Sequence, residues 1–268
     1  MIKDNLKLRK LLESFSMSNY SLILTFLREF GTFVCPDVKS GEETSYFLRH
    51  DVDFSPTNAL MMARIESEQG IHAHYYFLTD SSSYNIQTQR FKDIVSEINF
   101  LGHCIGLHFE RINLDISAKD EFETQIERLK KRLGRPIHHF SPHNPGSLAS
   151  ANDLKMSGKY TNAYSLLESQ KAGYLSDSNG KWSEMYLEAF MNTYQTKSFQ
   201  ILIHPEWWTY KSLEPLSRII DVYLNSYLEN LTDYAVYHKN SSKFNENEIT
   251  KFENQVNLIS KSISDIIE

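Results

Sequence analysis

The sequence predicts an α/β protein whose mainly parallel sheet is rolled into a closed or nearly closed barrel, and three observations carry that prediction. Short apolar runs alternate with amphipathic stretches along the chain, as strands and helices do in a parallel sheet. Six of those runs end in a residue able to bind a metal or move a proton, the first of them in Arg49-His50-Asp51-Val52-Asp53, and an α/β barrel gathers its strand ends at one face. The length of 268 residues lies within the range in which such a barrel is one domain, so residues 1–268 are expected to form a single domain, with 41% hydrophobic content to fill its core.

The elements follow in order. Leu8, Leu11, Leu12 and Phe15, then Leu22, Leu24, Phe26, Leu27 and Phe30, recur at helical spacing, predicting two amphipathic helices within residues 1–33, broken near Ser16-Met17-Ser18-Asn19 and packed outside the barrel. Tyr46-Phe47-Leu48 is the first strand. Ser55-Pro56 offers a helix start, and Ala59, Met62, Ile65 and Glu66 carry the helical period to Gly70. A second strand is read over 71–78, a helix over 91–100, a third strand over 104–107 entered through Gly102-His103, and a helix over 122–133. Further strands are placed at 137–140, at Tyr174-Leu175 and at Gln200-Ile201-Leu202-Ile203. Residues 209–268 read as helical. Phe252, Val256, Ile259, Ile263 and Ile266 step by four and three, which suits a final helix docked on the barrel or, as the alternative, a homodimer seam. The stretch 239–247 reads as a polar loop.

Composition excludes several classes. A formal net charge of -6 argues against nucleic acid or an anionic membrane surface as partner. Its one short basic cluster, Arg128 to Arg135, reads as a solvated helix face. Two cysteines, Cys35 and Cys104, are too few for a disulfide framework and lack the spacing of a structural zinc site. No apolar stretch is long enough to span a bilayer, and the charged N-terminus lacks a signal-peptide core, so a soluble cytoplasmic protein is expected.

The chemistry lies at the strand ends: Asp51 and Asp53, Thr79-Asp80, His108, His143, Ser176-Asp177 and His204. Any one of these histidines alone reads as a hydrogen-bonded structural residue; together, at one face of a barrel, they read as a site. Asp51 and Asp53 lie two apart and share a strand face, so one can bind a cation while the other accepts a proton from water. A turn or helix-cap role is the alternative for Asp53, just before Ser55-Pro56. A zinc-type catalytic site takes about three protein ligands and one open position, and Asp53 and His108 are the first two candidates.

Leu48-Arg49-His50-Asp51-Val52-Asp53, then Gly70-Ile71-His72-Ala73-His74-Tyr75-Tyr76-Phe77, then Gly102-His103-Cys104-Ile105-Gly106-Leu107-His108, resemble the polysaccharide deacetylase family with its NodB-homology domain. The likeness extends more weakly through Phe140-Ser141-Pro142-His143-Asn144-Pro145, Ser176 to Trp182 and Leu202-Ile203-His204-Pro205, covering roughly residues 46–208. The resemblance implies a distorted (β/α) barrel of about seven strands, with extra N- and C-terminal helices. It also implies hydrolysis of N- or O-acetyl groups on sugars with a divalent metal. By that resemblance Asp51 is the general base, Asp53 and His108 are metal ligands, His204 is the general acid, Asp177 supports the catalytic groups and Trp182 is an aromatic wall.

Departures from the family pattern sharpen the expectation. The usual second histidine ligand, one helical turn beyond His108, is replaced by Ile112, which cannot bind metal. The arginine that orients the base in the third motif is missing from the loop 141–146. His143 stands in that loop and is expected to be the third ligand, with Glu110 as the next candidate. Asn144 is a candidate substrate contact. Trp207, Trp208 and Tyr210 read either as a platform for a sugar ring or as a hydrophobic plug at the barrel end. The leading expectation is a deacetylase for a carbohydrate substrate, with zinc the expected metal. A non-sugar C–N hydrolase and a catalytically inactive glycan- or protein-binding barrel are the alternatives.

Overall fold

Alternation between strand and helix persists through the observed fold, because each apolar run that is buried on both faces must be covered by a helix before the next parallel strand can pair. The computed structural model describes residues 2–34, 44–143, 159–165, 172–209, 214–240 and 245–267. Two N-terminal helices, α1 (Ile2–Leu12) and α2 (Met17–Leu27), precede β1 (Thr32–Phe33) and β2 (Ser45–Val52). Then follow α3 (Pro56–Glu68), β3 (His74–Phe77), α4 (Gln89–Phe100), β4 (Cys104–Phe109), α5 (Ala118–Leu133), β5 (His139–Pro142), β6 (Thr161–Asn162) and β7 (Gly173–Ser176). The chain continues through α6 (Glu184–Thr193), β8 (Phe199–Ile203), α7 (Pro215–Asn240) and α8 (Glu246–Ile267).

All pairings are parallel, and the sheet runs β6-β5-β4-β3-β2-β8-β7, with β1 added beside β2. This is a distorted (β/α) barrel, curled and, among the described residues, with no pairing between β6 and β7. The helices start where the sequence caps them: Ser55 accepts the Asn58 N–H ahead of Pro56 in α3, and Ser117 accepts the Asp120 N–H in α5. Three elements escaped the sequence reading: β1 and β6, each of 2 residues and too short to show a period, and α6, whose exposed Met185 and Tyr186 blur its amphipathic face. The stretch read as a polar loop over 239–247 is partly helix, with α7 running to Asn240 and α8 starting at Glu246.

The N-terminal helices are tied to the barrel. Met17 N–H donates to Thr209 C=O at 2.9 Å and Thr209 N–H to Phe15 C=O at 3.1 Å, and Tyr20, Leu24 and Leu27 join the core. Among the described residues no helix is long and apolar enough to cross a membrane. Cys104 opens β4; Cys35 lies outside the described residues.

Candidate metal centre

Strand β2 builds one wall of the site by simple alternation. Arg49, Asp51 and then Asp53 point to one face and His50 to the other, as period-two geometry requires. Arg49 donates from Nε to Asp51 Oδ1 at 3.0 Å and from Nη2 to Asp51 Oδ2 at 2.6 Å, a forked pair with both side chains buried. Its Nη2 also donates to Ser141 Oγ at 2.6 Å, and Ser141 Oγ donates to Asp51 Oδ2 at 3.0 Å. The loop 141–143 brings no arginine to Asp51; the guanidinium that engages it comes from two residues earlier on the same strand. Burial would raise the Asp51 pKa; the guanidinium overrides it and holds the carboxyl at about 2.

Register then brings three donors together. His108 on β4 pairs with Ser141 on β5, and His143 N–H continues that ladder to Phe109 C=O at 2.7 Å, so His143 lands beside His108. Asp53 Oδ1 lies 3.1 Å from His108 Nε2 and 3.5 Å from His143 Nδ1, and the two nitrogens are 3.0 Å apart. His108 Nδ1 donates to Ser141 C=O at 2.9 Å, which leaves its Nε2 as a lone pair. His143 turns Nε2 toward Glu110 Oε1 at 3.8 Å. Asp53 Oδ1 is buried and accepts no hydrogen bond. Three acceptor atoms at this spacing repel one another unless a cation or a proton sits among them.

The residues fit a metal. Neighbouring ligands of a tetrahedral zinc ion, with bonds of about 2.0–2.1 Å, lie about 3.3 Å apart, and the three edges observed here bracket that value. Asp53, His108 and His143 form the one cluster of metal-binding side chains found among the described residues. Glu110 faces His143 from behind rather than joining the triangle, and Ile112 stands on an exposed loop, so the position where a second histidine was expected lies outside the site. With a proton among the three, Asp53 is held below the usual carboxylate range: burial would raise it, and His108 and His143 outweigh that.

Opposite lies an imidazole–carboxylate pair. His204, just after β8, donates from Nδ1 to Asp177 Oδ1 at 2.7 Å, and Asp177, after β7, also accepts the His204 N–H at 3.0 Å and Trp208 Nε1–H at 2.8 Å. Burial alone would lower the His204 pKa; the fully buried Asp177 carboxylate overrides it and pushes it up to about 10.

The pocket between these groups has a volume of about 380 Å³ and is lined by Asp51, Asp53, His108, His143 and His204, with Phe54, Tyr164, Asn179, Glu206, Trp207 and Ile219 among its walls. The aromatic expectations divide. Trp207 lines the pocket; Trp208 is fully buried and holds Asp177 instead of facing a ligand. Trp182 is no pocket wall either, because its ring stacks on Phe15 at 5.5 Å and its Nε1–H donates to Leu12 C=O at 2.8 Å. Asp80 is drawn to Arg128 at the surface. Asn144 and Tyr210 lie outside the described residues.

Sequence reasoning missed Arg49, Ser141, Asn179 and Glu206. The first was legible, since it shares the alternation that joined Asp51 to Asp53. Asn179 sits in the left-handed region at φ 61, which asparagine tolerates and which turns it into the pocket wall beside Gly180 at φ 70. Glu206 follows His204 by two residues and is 1% exposed, with no hydrogen-bond partner for Oε2.

Fold and site together define a distorted parallel (β/α) barrel with a carboxylate–imidazole cluster at its strand ends. No protein-family model matches the chain, and no curated protein matches it. Among solved structures it is similar to a family 4 carbohydrate esterase from Bacillus anthracis, at 17% identity, covering 68% of this chain and 76% of that one, with a TM-score of 0.38. It is similar also to the chitin deacetylase of the fungal pathogen Colletotrichum lindemuthianum, at 17% identity over 68% and 81% of the two chains, with a TM-score of 0.42. A mutant of a family 4 carbohydrate esterase pseudoenzyme with restored enzymatic activity matches at 13% identity over 64% and 58%, with a TM-score of 0.37. At this distance the likeness adds nothing to the functional argument, which rests on the side chains.

Proposed function

We propose that this protein is a metal-dependent hydrolase that removes an acetyl or related acyl group from a small sugar substrate, with zinc as the metal. The observation that carries the reading is the triangle of Asp53, His108 and His143 set between a buried carboxylate, Asp51, and a protonated imidazole, His204. One oxygen and two nitrogen donors suit zinc or a similar borderline divalent ion. When bound, such an ion supplies Lewis acidity, lowering the pKa of water and polarising a carbonyl.

The chain's own residues supply the rest. Asp51, kept ionised by Arg49, takes a proton from the attacking water. His204, kept protonated by Asp177, gives a proton to the departing amine or alkoxide as the C–N or C–O bond breaks. Acid and amine or alcohol are the products. His108 is fixed in the ligating tautomer by Ser141 C=O.

A pocket of about 380 Å³ is near the lower end of the usual range for small-molecule sites, about 300–1,000 Å³. That favours a single sugar unit over a polymer lying across the face. The same compactness favours, as the second reading, a cyclic amide or ureide hydrolase. The reading carries a single-domain protein in the cytoplasm.

The test is elemental analysis of purified protein together with acetate release from N-acetylated and O-acetylated monosaccharides. Stoichiometric zinc, acetate release abolished by a chelator, and an Asp51→Asn variant that keeps metal but not turnover are the expected results. Metal retained by Asp53→Asn, or turnover surviving Asp51→Asn, overturns the assignment; ring opening of a cyclic amide without acetate release selects the second reading.

A further inference from the structure

Helix α7 carries an apolar stripe that stays largely exposed, although Ile219 in it packs against the core. Leu216, Ile220, Tyr223 and Tyr227 are 71%, 41%, 39% and 53% exposed, and with Ile219 they recur at the i, i+3, i+4, i+7 and i+11 positions of one helix face. The body of the protein takes a different face of the same helix. Val222 and Ser226 are buried, Ser226 Oγ donates to Phe54 C=O at 3.2 Å, and Arg218 donates to Trp207 C=O and Gly180 C=O at 3.1 Å each. Single exposed hydrophobics are ordinary, whereas a contiguous stripe of them marks a binding surface.

The stripe meets the candidate catalytic pocket near one end. Ile219 belongs to both, and Tyr223 packs edge-on against Phe54, another pocket wall, at 6.2 Å. The stripe is about 16 Å long from Leu216 to Tyr227, about 12 Å of it beyond Ile219, at 1.5 Å per residue. A second apolar lip lies beyond Glu110, the neighbour of His143, where Ile112, Leu114 and Ile116 are all exposed. The pocket that Ile219 lines also holds Asp51, Asp53 and His204. Whatever lies on the stripe is therefore continuous with something polar in the pocket, and a molecule polar at one end and apolar along the next stretch is an amphiphile. With a net charge of -6 the protein has no general electrostatic pull toward an anionic lipid surface, so the hydrocarbon contact itself must supply recognition.

We infer that the α7 stripe seats the hydrocarbon chain of a lipid-linked or alkyl-linked sugar whose acylated ring occupies the pocket. This rests on the hydrolase reading for the pocket's contents but not for the stripe's.

Calorimetric titration with methyl, hexyl and octyl N-acetyl-β-glucosaminides, each below its micelle concentration, tests it without requiring turnover. A methylene buried on one side tightens binding about twofold, so octyl should bind about fourfold tighter than hexyl. Leu216→Ser combined with Ile220→Ser should flatten this dependence and leave methyl-glycoside affinity unchanged, while Phe100→Ser, at an exposed position on α4, should keep it. Equal affinity for methyl and octyl glycosides, or a chain-length dependence that survives the double substitution, overturns the inference. So does a dimer in light scattering that the double substitution dissociates without any chain-length dependence, which would give the stripe to a second copy of the chain. Acetate release from the methyl glycoside is scored separately: release without chain-length dependence removes the lipid inference and leaves the hydrolase, and dependence without release does the reverse.

Discussion

Arg49 and Asp51, two residues apart on one strand, form a forked ion pair inside the barrel, with both carboxylate oxygens engaged at 3.0 and 2.6 Å. Side chains so placed on a flat strand would be parallel neighbours; here the shorter acid is met by the longer guanidinium, whose Nη2 also engages Ser141 from β5. The pair is 2% and 3% exposed, so bulk solvent screens neither charge effectively. Arg49→Met should therefore destabilise the fold by about 3–5 kcal/mol in chemical denaturation, the cost of a buried charge left without its partner. It should also move the acidic limb of the pH–rate profile to higher pH, because burial then pushes Asp51 up from about 2 against His108 and His204 alone. Arg49→Lys, which keeps the charge but loses the fork, should fall between. A profile unmoved by Arg49→Met would remove Arg49 from any part in setting the base.

Removal of His143 separates its two neighbours' roles. If His143 ligates, His143→Ala should lower zinc affinity by more than about 100-fold, whereas Glu110→Gln, which touches only the far nitrogen at 3.8 Å, should cost about tenfold or less. Competition with a chromophoric chelator measures both. An equal loss in the two variants would make Glu110 a ligand in its own right.

Much of this was legible because the barrel fold turns sequence order into spatial order. Asp53, His108 and His204 each close an apolar run, and β2, β4 and β8 deliver them to one face. His143 was singled out because Ile112 fills the place where the resemblance led one to expect a histidine, and it stands beside Asp53 and His108. What failed was legibility at a distance. Whether Trp182, Trp207 or Trp208 faces the pocket depends on the docking of Phe15 and on Asp177's need for a third donor, both set by contacts far apart in sequence. Short β1 and β6 have no period to read, and they exist only because a neighbouring strand offers an edge.

His204 should remain protonated through neutral pH in the metal-free protein. Its folded pKa, about 10, lies above the usual imidazole value of about 6.5. The stabilisation it contributes is accordingly complete below about pH 6.5 and is lost as pH rises toward 10. Imidazole carbon-bound proton shifts followed by NMR should show no His204 titration between about pH 6 and 8. In Asp177→Asn the hydrogen-bonded counter-charge is gone and only Glu206 and Asp53 still oppose burial, so the same resonance should titrate at clearly lower pH than in the wild type. A wild-type midpoint near 6.5 would contradict the pairing as an acid-holding device.

Behind β2, on the face away from the site, Glu66 from α3 is 0% exposed and serves as the hub of a polar cluster. Its Oε1 accepts from Tyr20 and from His50 Nε2 at 2.7 Å, and its Oε2 accepts from Tyr75 at 2.8 Å. His103 is engaged elsewhere: its Nδ1 accepts the Ala73 N–H at 3.1 Å and its Nε2 faces Ala63 C=O at 2.9 Å. Burial would raise the Glu66 pKa, and His50 with its neighbours pulls it below the usual value instead. A depressed carboxylate contributes stability above its unfolded pKa of about 4.3, and that contribution drains away as pH falls further. Glu66→Leu strands two tyrosine hydroxyls and an imidazole at once and should cost about 3–5 kcal/mol. Because the cluster and the candidate ligands lie on opposite faces of the sheet, zinc affinity measured on the folded fraction should stay within about twofold of wild type, in contrast to the loss expected from His143→Ala. A large parallel loss of zinc affinity would mean that Glu66 fixes the strand on which Asp51 and Asp53 stand, and the two faces of β2 would have to be treated as one unit.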